Sequence, residues 1–189
     1  PEEITFTPDG KGVVFSAKDV GRAEAWSTDF DLYYAPTDGA PQPKCLTEAN
    51  EAWDTQPVFS PDGKTLAYLA MSRPGYEADQ FKIVLFDWPG GRRRVLAETW
   101  DCSPSSIGWS ADGKTIRYRE APAKEGDLTP VFACELATGA VKRLTPREVW
   151  ALPPTLHPAL GSARRGGGDY PRRHLSPDGR RQLFTLSLI

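Results

Sequence analysis

The chain has 189 residues, of which 39% are hydrophobic and 25% charged, and its formal net charge is −2. This balance suits a soluble globular domain and excludes the strongly basic field of a nucleic-acid-binding surface. No apolar run approaches the roughly 18 residues of a membrane-spanning helix, and the opening Pro-Glu-Glu is unlike an export signal. We therefore expect no membrane span, no nucleic-acid partner and no precursor segment.

In chain order, short apolar runs separated by Gly, Pro and Asp predict β-strands grouped into units. The units cover about 1–48, 54–98, 105–145 and, incompletely, 150–189. The strands predicted in the first unit are 3–6, 12–16, 30–35 and 43–46; those in the second are 57–59, 66–71, 81–88 and 92–96; those in the third are 106–109, 115–119, 131–136 and 140–144. In the last unit, residues 174–184 restart the pattern and 183–189 supply one more strand.

The same turn follows the first strand of each unit. Its glycine is Gly10, Gly63, Gly113 or Gly179, and the residues before it are Thr-Pro-Asp, Ser-Pro-Asp, Ser-Ala-Asp and Ser-Pro-Asp. The aspartate bonds its own backbone in such a turn, and the glycine takes a positive φ without a steric clash. Four-stranded antiparallel sheets repeated about every 40 to 50 residues are the signature of β-propeller blades. The sequence therefore predicts an all-β partial propeller of three blades plus an incomplete fourth.

The second unit carries the strongest evidence for stacked blades. Its run Leu66-Ala67-Tyr68-Leu69-Ala70-Met71 does not alternate polar with apolar residues, so both faces of this strand should be covered. Propellers have about four to eight blades, and three blades and a part do not close such a ring. We therefore expect a piece of a larger protein, which self-associates through its exposed blade faces.

The sequence contains no motif of a catalytic or metal-binding site. The segment Gly108-Trp109-Ser110-Ala111-Asp112 lacks the second glycine of a nucleophile elbow and reads as a strand entering a hairpin. The only histidines are His157 and His174, and the glycines at 166–168 do not precede a helix that would bind phosphate. Arg92-Arg93-Arg94 lies on a predicted outermost strand, where charge protects an open edge. We predict no catalytic residue, no cofactor and no metal site.

The three cysteines, Cys45, Cys102 and Cys134, are an odd number without C-x-x-C spacing. This pattern indicates neither a zinc site nor a disulfide framework. Each cysteine lies in or beside a predicted strand, where a free cysteine usually packs as a small hydrophobic residue. The alternative is that two of the three cysteines form a disulfide in an exported protein.

One loop of the second unit is longer than a hairpin requires. Residues 72–80 carry Arg73, Tyr76, Glu77 and Asp79 between two predicted strands. Loops of this kind line one mouth of a propeller, where their polar groups meet a ligand. These four residues are therefore a candidate substrate-cavity loop. The alternative is an ion pair of Arg73 with Glu77 or Asp79 that only stiffens the loop.

Three segments carry a family resemblance. Ala52 to Pro57, Phe59 to Lys64 and Arg73 to Asp79 resemble the N-terminal propeller of bacterial prolyl-oligopeptidase-family serine peptidases of the acylaminoacyl-peptidase or dipeptidyl-peptidase type. The similarity covers about 1–145 and is most specific between 52 and 88, whereas beyond about 146 the sequence departs from the family pattern.

The resemblance implies a parent protein in which the propeller caps a C-terminal α/β-hydrolase domain and admits peptides while excluding folded proteins. The hydrolase domain and its catalytic motifs have no counterpart in this chain. Relatives of this type often carry an export signal, so the resemblance favours the periplasm, with the cytoplasm as the alternative. A TolB-like propeller that binds proteins without a hydrolase partner is the other function that the Ser-Pro-Asp-Gly repeats allow.

Overall fold

A computed structural model describes residues 3–23, 25–39, 42–101, 103–120 and 131–144, together with the strand pairs at 174–175 and 182–183. These residues form three four-stranded sheets and one short two-stranded sheet. The strands of the first two sheets are β1 Ile4–Phe6, β2 Gly12–Ala17, β3 Asp31–Pro36, β4 Lys44–Cys45, β5 Asp54–Phe59, β6 Thr65–Ala70, β7 Lys82–Asp87 and β8 Arg93–Leu96. The remaining strands are β9 Pro104–Trp109, β10 Thr115–Glu120, β11 Val131–Glu135, β12 Val141–Arg143, β13 His174–Leu175 and β14 Gln182–Leu183. A single 3-10 turn, Gly21–Ala23, interrupts the connection from β2 to β3.

Each four-stranded sheet is an antiparallel meander whose strands pair in chain order, and the predicted all-β fold of four-stranded blades is confirmed. The innermost strands of successive sheets lie side by side, β1 against β5 and β5 against β9, as they do around the centre of a propeller. The β13–β14 pair lies beside β1. The predicted Ser-Pro-Asp-Gly turn at 176–179 and residues 184–189 lie outside the described residues.

The second sheet is sandwiched between the other two, as the sequence of β6 predicts. Leu66 and Tyr68 pack towards the first sheet, and Ala67 and Leu69 pack towards the third. The core between the first and second sheets contains Val14, Leu32, Leu66, Tyr68, Val84 and Phe86. The core between the second and third contains Ala67, Leu69, Ile83, Leu85, Leu96, Ile116, Tyr118 and Cys134. Because burying one large apolar side chain stabilises a fold by about 1.5 to 3 kcal/mol, these two layers hold the sheets together.

Strand β5 begins earlier than the apolar run that predicted it. It starts at Asp54 instead of Pro57, and its pairing with β6 shifts register between Thr55 and Val58. This bulge takes the Pro57 nitrogen, which has no hydrogen to donate, out of the ladder. Gln56 adopts φ 53° there and donates from Nε2 to the Ser105 carbonyl of the third sheet over 2.8 Å. The bulge therefore accommodates Pro57 within a strand that begins three residues before it.

The Asp-Gly turns of the three sheets are built alike. In the second, Ser60 Oγ donates to Asp62 Oδ1 over 2.6 Å, and the backbone nitrogen of Lys64 donates to the same oxygen over 3.1 Å. The glycines Gly10, Gly63 and Gly113 have φ of 68°, 70° and 68°, as predicted for this turn type. Successive turns also touch, because Pro8 lies against Gly63 and Pro61 lies against Gly113. The repeated sequence thus produces a row of stacked turns.

Candidate functional site

The two ends of the sheets differ in character. Because the strands are antiparallel and consecutive, alternate connections emerge at opposite ends of each sheet. We call one end the turn face; it carries the Asp-Gly turns at 7–11, 60–64 and 110–114. We call the other end the loop face; it carries the connections 18–30, 46–53, 71–81 and 97–103, of which residues 24 and 102 are not described. The longer and more varied connections lie on the loop face, so it is the candidate binding face.

The candidate loop predicted from the sequence lies on the loop face. Residues 71–81, which we call the rim loop, connect β6 to β7. Tyr76 is 48% exposed and Glu77 is also exposed, whereas Asp79 is buried. Arg73 lies with its guanidinium carbon 4.2 Å from the centre of the Tyr76 ring. The rim loop thus presents Arg73, Tyr76 and Glu77 to solvent and turns Asp79 inwards.

Asp79 holds the rim loop together. Its Oδ2 accepts from the backbone nitrogens of Ser72 and Arg73, each over 2.9 Å, and from Ser72 Oγ over 3.2 Å. Its Oδ1 accepts from Arg73 Nε over 2.7 Å. Burial raises the pKa of this carboxyl, but the hydrogen bonds that it accepts from Ser72 and Arg73 outweigh burial and hold the pKa well below its ordinary value. Of the two acids weighed as partners for Arg73, the structure therefore selects Asp79, and the role of the four residues in substrate contact stays a prediction.

A contact that the sequence did not reveal ties the rim loop to the first sheet. The backbone nitrogen of Gly75 donates to Thr28 Oγ1 over 2.9 Å, and Thr28 is buried. Two residues before Thr28, Trp26 is 79% exposed. Thr28 and Gly75 are 47 residues apart, and no local pattern links them. The blade repeat offered the only signal, since both loops connect the second and third strands of their units.

Aromatic rings support the loop face from below. The rings of Phe30 and Trp53 stack with centroids 4.9 Å apart, and Phe81 meets Trp53 edge to face at 5.8 Å. Such ring pairs stabilise a fold by about 0.5 to 1.5 kcal/mol beyond the area that they bury. Because these residues come from the connections of the first two sheets, the ring series fixes the loops relative to one another.

A buried carboxyl lies beneath the same face. Asp54, at the start of β5, is fully buried. Its Oδ1 accepts from Asn50 Nδ2 over 2.9 Å, and its Oδ2 has no hydrogen-bond partner among the described residues. Burial raises the pKa of Asp54 to about 8, and the hydrogen bond from Asn50 and the nearby Arg93 only partly offset this. Asp54 is therefore protonated over most of the neutral range. The sequence analysis did not single out this residue.

The other sequence candidates have structural explanations where they are described. Ser110 Oγ donates to Asp112 Oδ1 over 2.6 Å and accepts from the Thr115 nitrogen over 3.0 Å, so it closes a hairpin turn. Cys45 and Cys134 are free thiols; burial raises the pKa of Cys45 to about 11 and also raises that of Cys134. His157, the glycines at 166–168 and Cys102 lie outside the described residues, and only the backbone of His174 is described.

The described part of the chain contains neither a metal-binding cluster nor a membrane-spanning helix. No group of three or more His, Cys, Asp and Glu side chains there is arranged to hold a metal ion. The same residues contain no helix with the length and apolar character needed to cross a membrane.

Known proteins resemble this chain in sequence. Dipeptidyl-peptidase 5 of Porphyromonas gingivalis is 33% identical over 146 residues, which are 76% of this chain and 21% of that protein. A probable dipeptidyl-peptidase 5 of Emericella nidulans is 38% identical over 132 residues, which are 67% of this chain and 18% of that protein. The chain thus spans about a fifth of the length of these curated relatives. No family model matches it.

Solved structures resemble the fold. A putative TolB from Agrobacterium tumefaciens matches with a TM-score of 0.51 and 24% identity over 97% of this chain and 52% of that one. The acylaminoacyl peptidase of Pyrococcus horikoshii matches with a TM-score of 0.50 and 14% identity over 71% of this chain and 23% of that one. At these identities the solved structures support only the propeller architecture. The assignment of this chain to a family rests on the sequence relatives. The predicted resemblance is confirmed: this chain is a β-propeller segment related to prolyl-oligopeptidase-family serine peptidases of the dipeptidyl-peptidase type.

Proposed function

We propose that this chain is the non-catalytic propeller segment of a serine peptidase, and that it controls the access of peptides to a hydrolase domain elsewhere in the parent protein. The observation that carries the proposal is the sequence match to dipeptidyl-peptidase 5 across 76% of this chain. The match occupies 21% of that relative, which leaves ample length for a C-terminal α/β-hydrolase domain. That domain would be the partner of this segment, and peptides would be the substrates of the parent.

The geometry of the loop face supports a filtering role. A filter must hold its opening at a fixed size, and the loops here are tied to their neighbours instead of moving independently. The rim loop is bonded internally through Asp79 and to the first sheet through Thr28. At its end, Gln80 Nε2 donates to Asp101 Oδ1 over 3.1 Å, and the Phe81 nitrogen donates to Ser103 Oγ over 3.1 Å. Arg73, Tyr76 and Glu77 would meet entering peptides on this rigid rim.

The filtering role is tested in the parent protein by loosening the rim. Thr28→Val removes the acceptor of the Gly75 nitrogen while keeping a similar volume. We expect the variant to retain cleavage of a short chromogenic peptide and to gain cleavage of long peptides by at least about 3-fold, since a difference of about 1 kcal/mol is roughly fivefold. The matched control is Thr37→Val, which removes a hydrogen bond to the Lys11 carbonyl on the turn face. Equal length dependence in all three proteins would contradict the filter.

A second candidate function is a TolB-like propeller that binds proteins and has no hydrolase partner. The match to the TolB structure supports this candidate through the shared propeller fold alone. The two candidates differ in the parent gene, because only the peptidase requires a downstream G-x-S-x-G elbow followed by Asp and His. The location also stays a proposal: the resemblance favours the periplasm over the cytoplasm.

A further inference from the structure

Arg73 is both exposed and fixed in place. Its side chain is 62% exposed, although its Nε is bonded to a carboxylate, Asp79, whose own side chain is only 5% exposed. The face of the guanidinium lies over the Tyr76 ring at 4.2 Å. An arginine on a surface usually loses rotamer entropy when a ligand immobilises it, and this loss weakens binding. In this protein the fold already restricts the Arg73 side chain, so less entropy is lost when a ligand binds to it.

Asp79 has more hydrogen-bond donors than it needs to be stable as a buried anion. Three donors other than the guanidinium, the nitrogens of Ser72 and Arg73 and the Ser72 hydroxyl, already bond Oδ2. Asp79 is thereby stabilised as an anion by the backbone that surrounds it. The bond from Arg73 Nε therefore orients the guanidinium as much as it satisfies the carboxylate.

The outer edge of the guanidinium remains available for a ligand. The guanidinium bonds a described residue through Nε alone, and neither Nη nitrogen is bonded to any residue that the structure describes. The two Nη groups of an arginine form a planar fork that matches the two oxygens of a carboxylate. The aromatic rings of Tyr76 and of Trp26, two residues from the tethering Thr28, are exposed on the same face. The surroundings thus combine one oriented cationic fork with apolar surface for the chain that bears the carboxylate.

We propose that Arg73 binds a carboxylate group of a peptide on the loop face, in a bidentate contact through its Nη nitrogens. The choice of a peptide as the ligand rests on the proposed function, whereas the carboxylate site rests on the geometry of Arg73. The carboxylate is either the C-terminal group of the peptide or an acidic side chain within it. Because Asp79 offsets the charge of Arg73, the preference comes from oriented hydrogen bonds and not from long-range attraction.

The test measures the binding of four matched pentapeptides to the full 189-residue chain. The peptides combine a free or amidated C-terminus with an internal Asp or Asn, and dissociation constants come from calorimetry at low salt. We expect one of the two changes to weaken binding by at least about 10-fold, the effect of losing a hydrogen bond to a charged group. Amidation identifies the C-terminal carboxylate as the ligand, and the Asp-to-Asn change identifies an acidic side chain.

Variants separate the site from general charge effects. Arg73→Gln should abolish the preference, and Arg73→Lys should retain only part of it because an ammonium has no planar fork. Arg22→Gln removes a cation from the β2–β3 connection on the same face and should leave the preference unchanged. Asp79→Asn keeps the Arg73 charge but weakens its orientation, so it should reduce the preference without reversing it. Circular dichroism establishes that each variant is folded.

Three outcomes would overturn the proposal: equal binding of all four peptides by the unaltered chain, no measurable binding of any of them, or an unchanged preference in folded Arg73→Gln. The proposed function fails by a different observation, the absence of a hydrolase domain or of length selection in the parent. Because binding is measured without turnover, a failure of the carboxylate site is distinguishable from a failure of the proposed function.

Discussion

The row of stacked turns permits a quantitative test of how blades are joined. Gly63 and Gly113 have nearly the same backbone conformation, with φ of 70° and 68°. An added Cβ at Gly63 would lie 2.5 Å from Cβ and 2.8 Å from Cγ of Pro8, whereas at Gly113 the nearest atom, Cδ of Pro61, is 3.7 Å away. Alanine therefore imposes the same backbone strain at both sites but a steric clash at only one.

The expected free energies of unfolding follow from these distances. Gly113→Ala should destabilise the chain by about 1 to 2 kcal/mol, the cost of a left-handed backbone for a residue with a Cβ. Gly63→Ala carries that cost and a further 1 to 3 kcal/mol or so for overpacking against the ring of Pro8. In urea, where small proteins lose about 1 to 3 kcal/mol of stability per molar denaturant, the midpoints of the two variants should differ by about 1 M.

A double-mutant cycle isolates the contact between the turns. Pro8→Gly removes both clashing atoms, so Gly63→Ala in that background should cost no more than Gly113→Ala. Coincident unfolding curves for the two single alanine variants would refute the packing of the first turn on the second. So would an undiminished cost of Gly63→Ala in the Pro8→Gly background.

Three further predictions concern pH, activity and association. Because the pKa of Asp54 is raised from an ordinary 3.8 to about 8 in the folded chain, the contribution of this carboxyl to stability is complete below pH 4, declines between pH 4 and 8, and is lost above pH 8. The free energy of unfolding should therefore fall by up to about 1.4 kcal/mol per pH unit across this range, and Asp54→Asn, which cannot ionise, should lack this decline. An equal pH dependence of stability in both proteins would contradict the raised pKa. The isolated chain should not hydrolyse chromogenic peptides or acyl-amino acids, and turnover that survives repurification and stops with a serine-directed inhibitor would contradict this. Self-association through the outer sheet faces should raise the molar mass in light scattering with concentration, and a strict monomer at every dilution would show that those faces are covered.

Local sequence patterns predicted the repeated parts of this fold because their physical causes are local. The Ser-Pro-Asp-Gly turns need only four neighbouring residues, and the unbroken apolar run of β6 records two covered faces. The pairing of Arg73 with an acid was also foreseeable, because both residues belong to one loop. The selection of Asp79 over Glu77 was not, since it depends on the backbone wrapping around the carboxylate.

The remaining features depend on contacts between blades. Gln56 takes a left-handed φ that its type rarely adopts, and the carbonyl that it reaches belongs to Ser105 of the next sheet. Asp54 reads as a polar residue before a strand, yet the first sheet buries it. The tether from Gly75 to Thr28 likewise joins two sheets. No single segment contains both members of any of these contacts, so a reading of one segment at a time misses them.

Several hydrogen bonds between consecutive sheets end on backbone carbonyls. Trp109 Nε1 donates to the Val58 carbonyl over 3.1 Å, Ser16 Oγ to that of Asp54 over 2.8 Å, and Arg93 to that of Leu46. A substitution removes a donor side chain but leaves a carbonyl in place. As far as these hydrogen bonds are concerned, the two sides of each junction should tolerate substitution unequally: replacing the donor side chain removes the bond, whereas replacing the side chain at the acceptor position leaves the carbonyl in place. These particular hydrogen bonds therefore require no paired substitutions to persist as blade sequences diverge, unlike contacts between two side chains.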